Sequence, residues 1–205
     1  MSNLVDLEVL ASVFVTLLVI MDPPGALPIF LALTKGLTHA QTVAAARRAS
    51  LVALGVISAF AAFGQQILSY LHISLPALQG AGGLLLLLVA LELLTGKESE
   101  QHADAGVNVA LVPLGTPLLA GPGAIVATML AVQESDRAAE YAGVAIGLVA
   151  TLLVVWLALR FAGRVHGVLR ESGTVLFTRI AGLLLSAIAV QMLADSVRAF
   201  VGGQG

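Results

Sequence analysis

The sequence contains no cysteine, which excludes disulfides, thiol catalysis and cysteine-held metals. Charge is nearly as scarce. Only 11% of its 205 residues are Asp, Glu, Lys or Arg, against about 25% in a soluble globular domain, too few to coat a water-facing surface. The net charge of −2 lacks the concentrated Lys and Arg that nucleic acid requires. His39, His72, His102 and His166 stand far apart, without metal-ligand spacing, and no nucleophile–base constellation or zinc-protease motif occurs. The expectation is a protein that is not an enzyme and carries no cofactor. Residues Met1 to Glu8 include acids but no Lys or Arg, so the basic n-region of a signal peptide is missing and the next apolar run is expected to be a retained membrane helix.

What the chain has in abundance is apolar surface: 59% hydrophobic residues and a mean hydropathy of +1.00. The apolar residues come in runs long enough to span a bilayer, which takes about 20 residues per helix. The expected fold is an all-α membrane protein of six transmembrane helices forming a single transmembrane domain over residues 1–205. The segments run from about Leu7 to Thr34, Ala44 to Leu71, Leu75 to Thr95, Val107 to Val132, Tyr141 to Phe161 and Thr174 to Phe200. A charged loop, residues 96–106, divides repeat 1 (1–95) from repeat 2 (107–205). Lys35, Arg47, Arg48, Lys97, Arg160, Arg164, Arg170 and Arg179 flank the loops after helices one, three and five. The opposite side carries only Arg137 and Arg198. By the positive-inside rule those three loops are cytoplasmic and both termini lie outside.

The halves align. Pro24-Gly25-Ala26 matches Pro122-Gly123-Ala124 at an offset of 98, and Ala81-Gly82-Gly83-Leu84-Leu85-Leu86 matches Ile180-Ala181-Gly182-Leu183-Leu184-Leu185 at an offset of 99. Three helices per unit is an odd number, so the second unit must enter the membrane upside down, as an inverted repeat.

Two stretches interrupt the apolar pattern at corresponding places, so helices one and four are expected to be broken at mid-membrane. The first is Asp22-Pro23-Pro24-Gly25-Ala26-Leu27-Pro28 and the second Gly115-Thr116-Pro117-Leu118-Leu119-Ala120-Gly121-Pro122-Gly123-Ala124. Proline lacks an N–H and clashes one turn back, while glycine lets another group approach the backbone closely. Each break starts a new half-helix, at about Ala26 and Ala124, whose N-terminus attracts anions. Paired breaks of this kind point to a transporter's substrate site. The candidate binding residues are Asp22, Pro24, Gly25, Ala26, Gly121, Pro122, Gly123 and Ala124. Backbone donors suit a carboxylate and Asp22 suits an ammonium group, so the site fits a zwitterion; alternatively Asp22 caps the helix that follows. Glu92, its repeat mate Gln191, Thr34 and Thr128 are candidates for coupling or for lining the pathway. The alternative for the two threonines is a bond back to their own helices. Gly80, Gly82, Gly83 and Gly182 read as packing glycines.

The stretches Asp22 to Phe30, Thr116 to Ala124 and Arg179 to Leu185, together with the chain's length and helix count, resemble the MarC/SnatA family, which is placed in the LysE-type transporter superfamily. The resemblance implies a prokaryotic inner-membrane protein in a lipid bilayer, moving small neutral amino acids such as glycine and alanine with a proton or another ion. Direction of transport and homo-oligomerisation stay open. So do the alternatives of an exporter of other metabolites or drugs, a passive channel, and a membrane protein that transports nothing.

Overall fold

The computed structural model describes residues 5–34, 36–95 and 119–202. These form seven helices and, among the described residues, no strand. They are α1 Leu7–Met21, α2 Pro23–Leu33, α3 His39–Tyr70, α4 Leu75–Thr95, α5 Pro122–Gln133, α6 Ala138–Arg160 and α7 Ala162–Val201. Five stretches are long and apolar enough to cross a bilayer: Leu7–Leu27, His39–Tyr70, Leu75–Thr95, Ala138–Arg160 and Ser172–Val201. The expected fourth span is represented only by the 12 residues of α5, about 18 Å of helix. Its first half, from Val107 to Leu118, lies outside the described residues.

Four expected boundaries are corrected. The first break is a single residue, Asp22, and Pro23, Pro24 and Gly25 already belong to the first turn of α2. Proline is at home there, because the N–H it lacks would have no partner in a first turn. α5 likewise starts at Pro122 rather than Ala124. The polar stretch after helix five is no loop: α7 begins at Ala162, directly after Phe161. Polarity alone does not stop a helix when Leu, Arg and Glu supply good propensity. α3 also starts early, because Thr38 and Gln41 form a reciprocal cap, with Thr38 N–H donating to Gln41 Oε1 at 2.9 Å and Gln41 N–H to Thr38 Oγ1 at 3.4 Å.

Two pairs of long helices frame the molecule. α1 and α6 run side by side in the same direction. Asp6 N–H donates to the Ala139 carbonyl at 2.9 Å near their starts, and Thr151 Oγ1 donates to the Phe14 carbonyl at 3.3 Å further along. At the shared end Arg137 pairs with Asp6 at 3.1 Å, and the same Asp6 caps α1 through the N–H groups of Glu8 and Val9. α4 and α7 run antiparallel, with Ser196 Oγ donating to the Pro76 carbonyl at 2.8 Å. Their contact is reciprocal: Gly83 lies against Ala189 and Leu193, and Gly182 against Ala90 and Leu93. Small residues let the backbones close up where lipid offers no hydrophobic drive.

Between these pairs lie two apolar clusters. One gathers Leu17, Leu27, Phe30, Ile57, Val155 and Leu159, the other Leu86, Ala90, Leu93, Val126, Leu185 and Ala189. α2 packs on α7 and α5 on α4, which brings the starts of the two short helices to the centre. The outward faces are apolar as well, with Leu84, Leu88, Leu153 and Leu183 exposed, as lipid-facing helices require.

A Cβ on Gly182 would stand 3.0 Å from the Leu93 Cβ and 3.2 Å from the Ala90 carbonyl oxygen, whereas one on Gly163 would meet nothing within 4 Å. Gly182→Val should therefore cost about 1–3 kcal/mol by overpacking and Gly163→Val less than about 0.5 kcal/mol. Unfolding of the detergent-solubilised variants checks both.

Candidate functional site

The site begins with a local conflict at Asp22. The residue before a proline is disfavoured in the α region, so the helix cannot pass through Asp22 into Pro23 unchanged. Asp22 instead adopts φ 35° and ψ 69°, the left-handed region, which an Asp tolerates better than most residues. Pro23 then starts a new helix, with Ala26 N–H donating to the Asp22 carbonyl at 3.0 Å. Each half bears a consequence. The Val19 and Ile20 carbonyls look for donors at positions 23 and 24, both prolines, so α1 ends on carbonyls without their helical partners. In α2 those prolines leave Gly25 as the first-turn N–H without an intrahelical acceptor.

The second start is built alike. Gly121, at φ −60° and ψ 160°, caps α5, and Pro122 is its first residue. Ala124 and Ile125 N–H both donate to the Gly121 carbonyl, at 3.0 and 3.2 Å. Gly123 is then the first-turn donor left over.

Both starts face one cavity of about 160 Å³, lined by Asp22, Gly25, Ala26, Gly121, Pro122 and Gly123, with Glu92 from α4 and the apolar Ile20, Met21, Leu86, Val89, Leu93 and Leu119. At roughly 30 Å³ per water, it holds on the order of five non-hydrogen atoms. From this level α2 and α5 run toward opposite ends of the molecule: α5 ends beside the start of α6, and α2 leads away to the start of α3.

Asp22 is only 7% exposed. Its Oδ2 stands against Gly25 and beside the hydroxyl of Thr178 on α7, and neither Oδ2 nor Thr178 Oγ1 completes a hydrogen bond. A buried polar atom without a partner is costly, so this pair marks a place where a ligand's hydrogen bonds would be favourable. Glycine is required at 25, because any Cβ there would collide with Asp22 Oδ2 and stand 3.1 Å from Thr178 Oγ1. A Cβ on Gly123 would collide with Leu86 Cδ2.

The remaining candidates divide. Pro24 is half-buried and Ala124 fully buried, and neither lines the cavity. Thr34 Oγ1 donates to the Phe30 carbonyl and Thr128 Oγ1 to the Ala124 carbonyl, each at 2.8 Å, so both threonines bond back to their own helices. Thr128 also borders a larger cavity of about 620 Å³ between α3, α5 and α6, with Ser58, Gln65, Gln133 and Asp136. Gln191 is exposed and donates to Asp195 Oδ1 at 2.9 Å and Oδ2 at 2.8 Å, away from the cavity. Thr178 was not singled out in the sequence, although it directly precedes the Arg179–Leu185 stretch that carries the family resemblance. Among the described residues no group of three His, Cys, Asp or Glu could hold a metal ion.

Residues 7–201 match the sequence profile described as "MarC family integral membrane protein". The chain is 36% identical over 200 residues to a UPF0056 membrane protein of Methanocaldococcus jannaschii, covering 94% of this chain and 98% of that one. It is 31% identical over 195 residues to the UPF0056 membrane protein YvbG of Bacillus subtilis, covering 91% and 92%. It is 29% identical over 210 residues to the UPF0056 membrane protein YhcE of Escherichia coli, covering 97% and 96%. No solved structure matches.

The two glycines should respond differently to a methyl group. Gly25→Ala displaces a carboxylate held by its own strained backbone, and destabilisation of about 1–3 kcal/mol is expected. Gly123→Ala pushes only against the end of a leucine, which can turn aside, so it should cost less than Gly25→Ala. Thermal unfolding of the two single variants in detergent checks this: the larger loss of stability at 25.

Proposed function

The chain belongs to the MarC family of integral membrane proteins, multi-pass proteins found in bacteria and archaea, and we propose that it is a secondary transporter of small neutral amino acids, working by alternating access. The observation that carries this is the single small cavity onto which two half-helix starts and a buried carboxylate converge. Each helix N-terminus bears about half a positive charge and free N–H donors. Gly25 and Gly123 N–H bind the substrate carboxylate, and Asp22 Oδ2, with Thr178 Oγ1 beside it, receives the ammonium group. Pro24 and Ala124 shape the two starts from behind. The cavity's volume of about 160 Å³ has room for glycine or alanine. Glu92 lines the same cavity, and with Asp22 it is one of two carboxylates able to carry a coupled proton. No chemical step is catalysed.

Alternating access fits a scaffold of two inverted three-helix units. The Gly83–Ala189 and Gly182–Ala90 contacts exchange under an offset of 99, and the packing of α2 on α7 and α5 on α4 exchanges in the same way. α1 and α6 run parallel, the relation that two inverted units of three crossings each would give them. Arg47, Arg48, Arg160 and Arg164 gather at one end, which the positive-inside rule places in the cytoplasm with both termini outside.

Purified protein in liposomes should exchange labelled glycine or alanine with saturation, faster under a proton gradient, and Asp22→Ala should reduce the rate at least a hundredfold while the protein still inserts. Absence of exchange for every small neutral amino acid would overturn the reading, and unsaturable flux indifferent to the gradient would make the protein a channel. Unfolding offers a second check, because substrate at a hundred times its Kd should stabilise the fold by about 2.7 kcal/mol.

A further inference from the structure

We propose that the groove between α3 and α6 at the arginine-bearing end of the molecule is a binding site for an anionic phospholipid. The groove has a volume of about 200 Å³ and is lined by Arg47, Ser50, Leu51, Leu54, Leu153 and Trp156 among others. Its wall of leucines suits the upper part of an acyl chain. Arg47 stands at one margin, and Arg160 brings a second cation to the same place, its guanidinium 5.1 Å from the centre of the Trp156 ring.

Both arginines are exposed. Neither pairs with an acid: the ion pairs among the described residues belong to Arg137 and Arg198. Two unpaired guanidiniums beside one apolar groove complement a phosphodiester, which a guanidinium can bind through two parallel hydrogen bonds. Trp156 lines the groove with its ring and Leu51, Leu54 and Leu153 complete an apolar wall, which leaves the two guanidiniums at its margin as the polar partners of a headgroup. Tryptophan, with one apolar and one polar end, is suited to the headgroup level. A bound lipid would bridge α3 and α6, bracing the seam formed by Ala49, Ala53, Leu152 and Val155.

The test uses the full chain purified in detergent, with phosphatidylglycerol, phosphatidylcholine or inorganic phosphate added, read by thermal unfolding and by lipid retained in native mass spectrometry. Phosphatidylglycerol should raise the unfolding midpoint and stay bound, while phosphatidylcholine and inorganic phosphate at matched ionic strength should do neither. In the double variant Arg47→Gln, Arg160→Gln, affinity for phosphatidylglycerol should fall about thirtyfold, each cation near a membrane surface contributing roughly a factor of five. The midpoint without lipid should be unchanged. Should the variant fail to fold, the wild-type preference for phosphatidylglycerol decides alone, because it must shrink as salt rises. Equal binding of the two lipids, undiminished phosphatidylglycerol binding by a folded double variant, or a phosphate shift to which the lipid adds nothing would overturn the proposal.

Discussion

The structure depends on one missing pair of hydrogen bonds. In hydrocarbon a helix must satisfy its own backbone, because lipid offers no partners. Pro23 and Pro24 withdraw two consecutive donors from the first apolar run, and Pro23 also pushes the residue before it out of the helical region. Asp22 absorbs the change by turning left-handed. Everything at the centre follows: a helix end whose carbonyls lack helical partners, a helix start whose Gly25 N–H lacks a helical acceptor, and a carboxylate folded back onto Gly25. Such a defect persists only where protein surrounds it, and here α7 and α5 do so.

The surroundings are as specific as the defect. α4 and α7 make a close antiparallel pair through Gly83 and Gly182, and this pair holds α5 on one helix and α2 on the other. Two starts carrying the same partial charge therefore meet at one cavity, an arrangement that repels itself unless negative charge sits between them. Asp22 and Glu92 are the acidic side chains that line that cavity.

Much of the site was legible in the sequence because proline and glycine act through covalent geometry, which no packing can change. Asp22, Gly25, Ala26, Gly121, Pro122 and Gly123 were identified that way and come together at the cavity. The same reasoning misplaced the half-helix starts by treating every proline as a breaker, although a first turn loses nothing by having one. It also read the stretch after Phe161 as a loop on polarity alone. Gln191 was tied to Glu92 by repeat alignment, but alignment carries no information about which face of a helix looks inward. Glu92 lines the cavity, while Gln191 lies on an exposed face bonded to Asp195.

By itself the sequence determined a membrane-embedded helical protein, the place of its first break and the chemistry of the exposed backbone, since all of these rest on hydropathy and on which residues lack an N–H or a side chain. The tertiary structure decided which groups share a space. Thr178 lies more than 150 positions from Asp22 in the chain, and no local pattern distinguishes it from threonines that merely bond to their own helix. Only the packing of α7 on α2 sets its hydroxyl beside the Asp22 carboxylate, and only the packing of α5 on α4 closes the cavity around them.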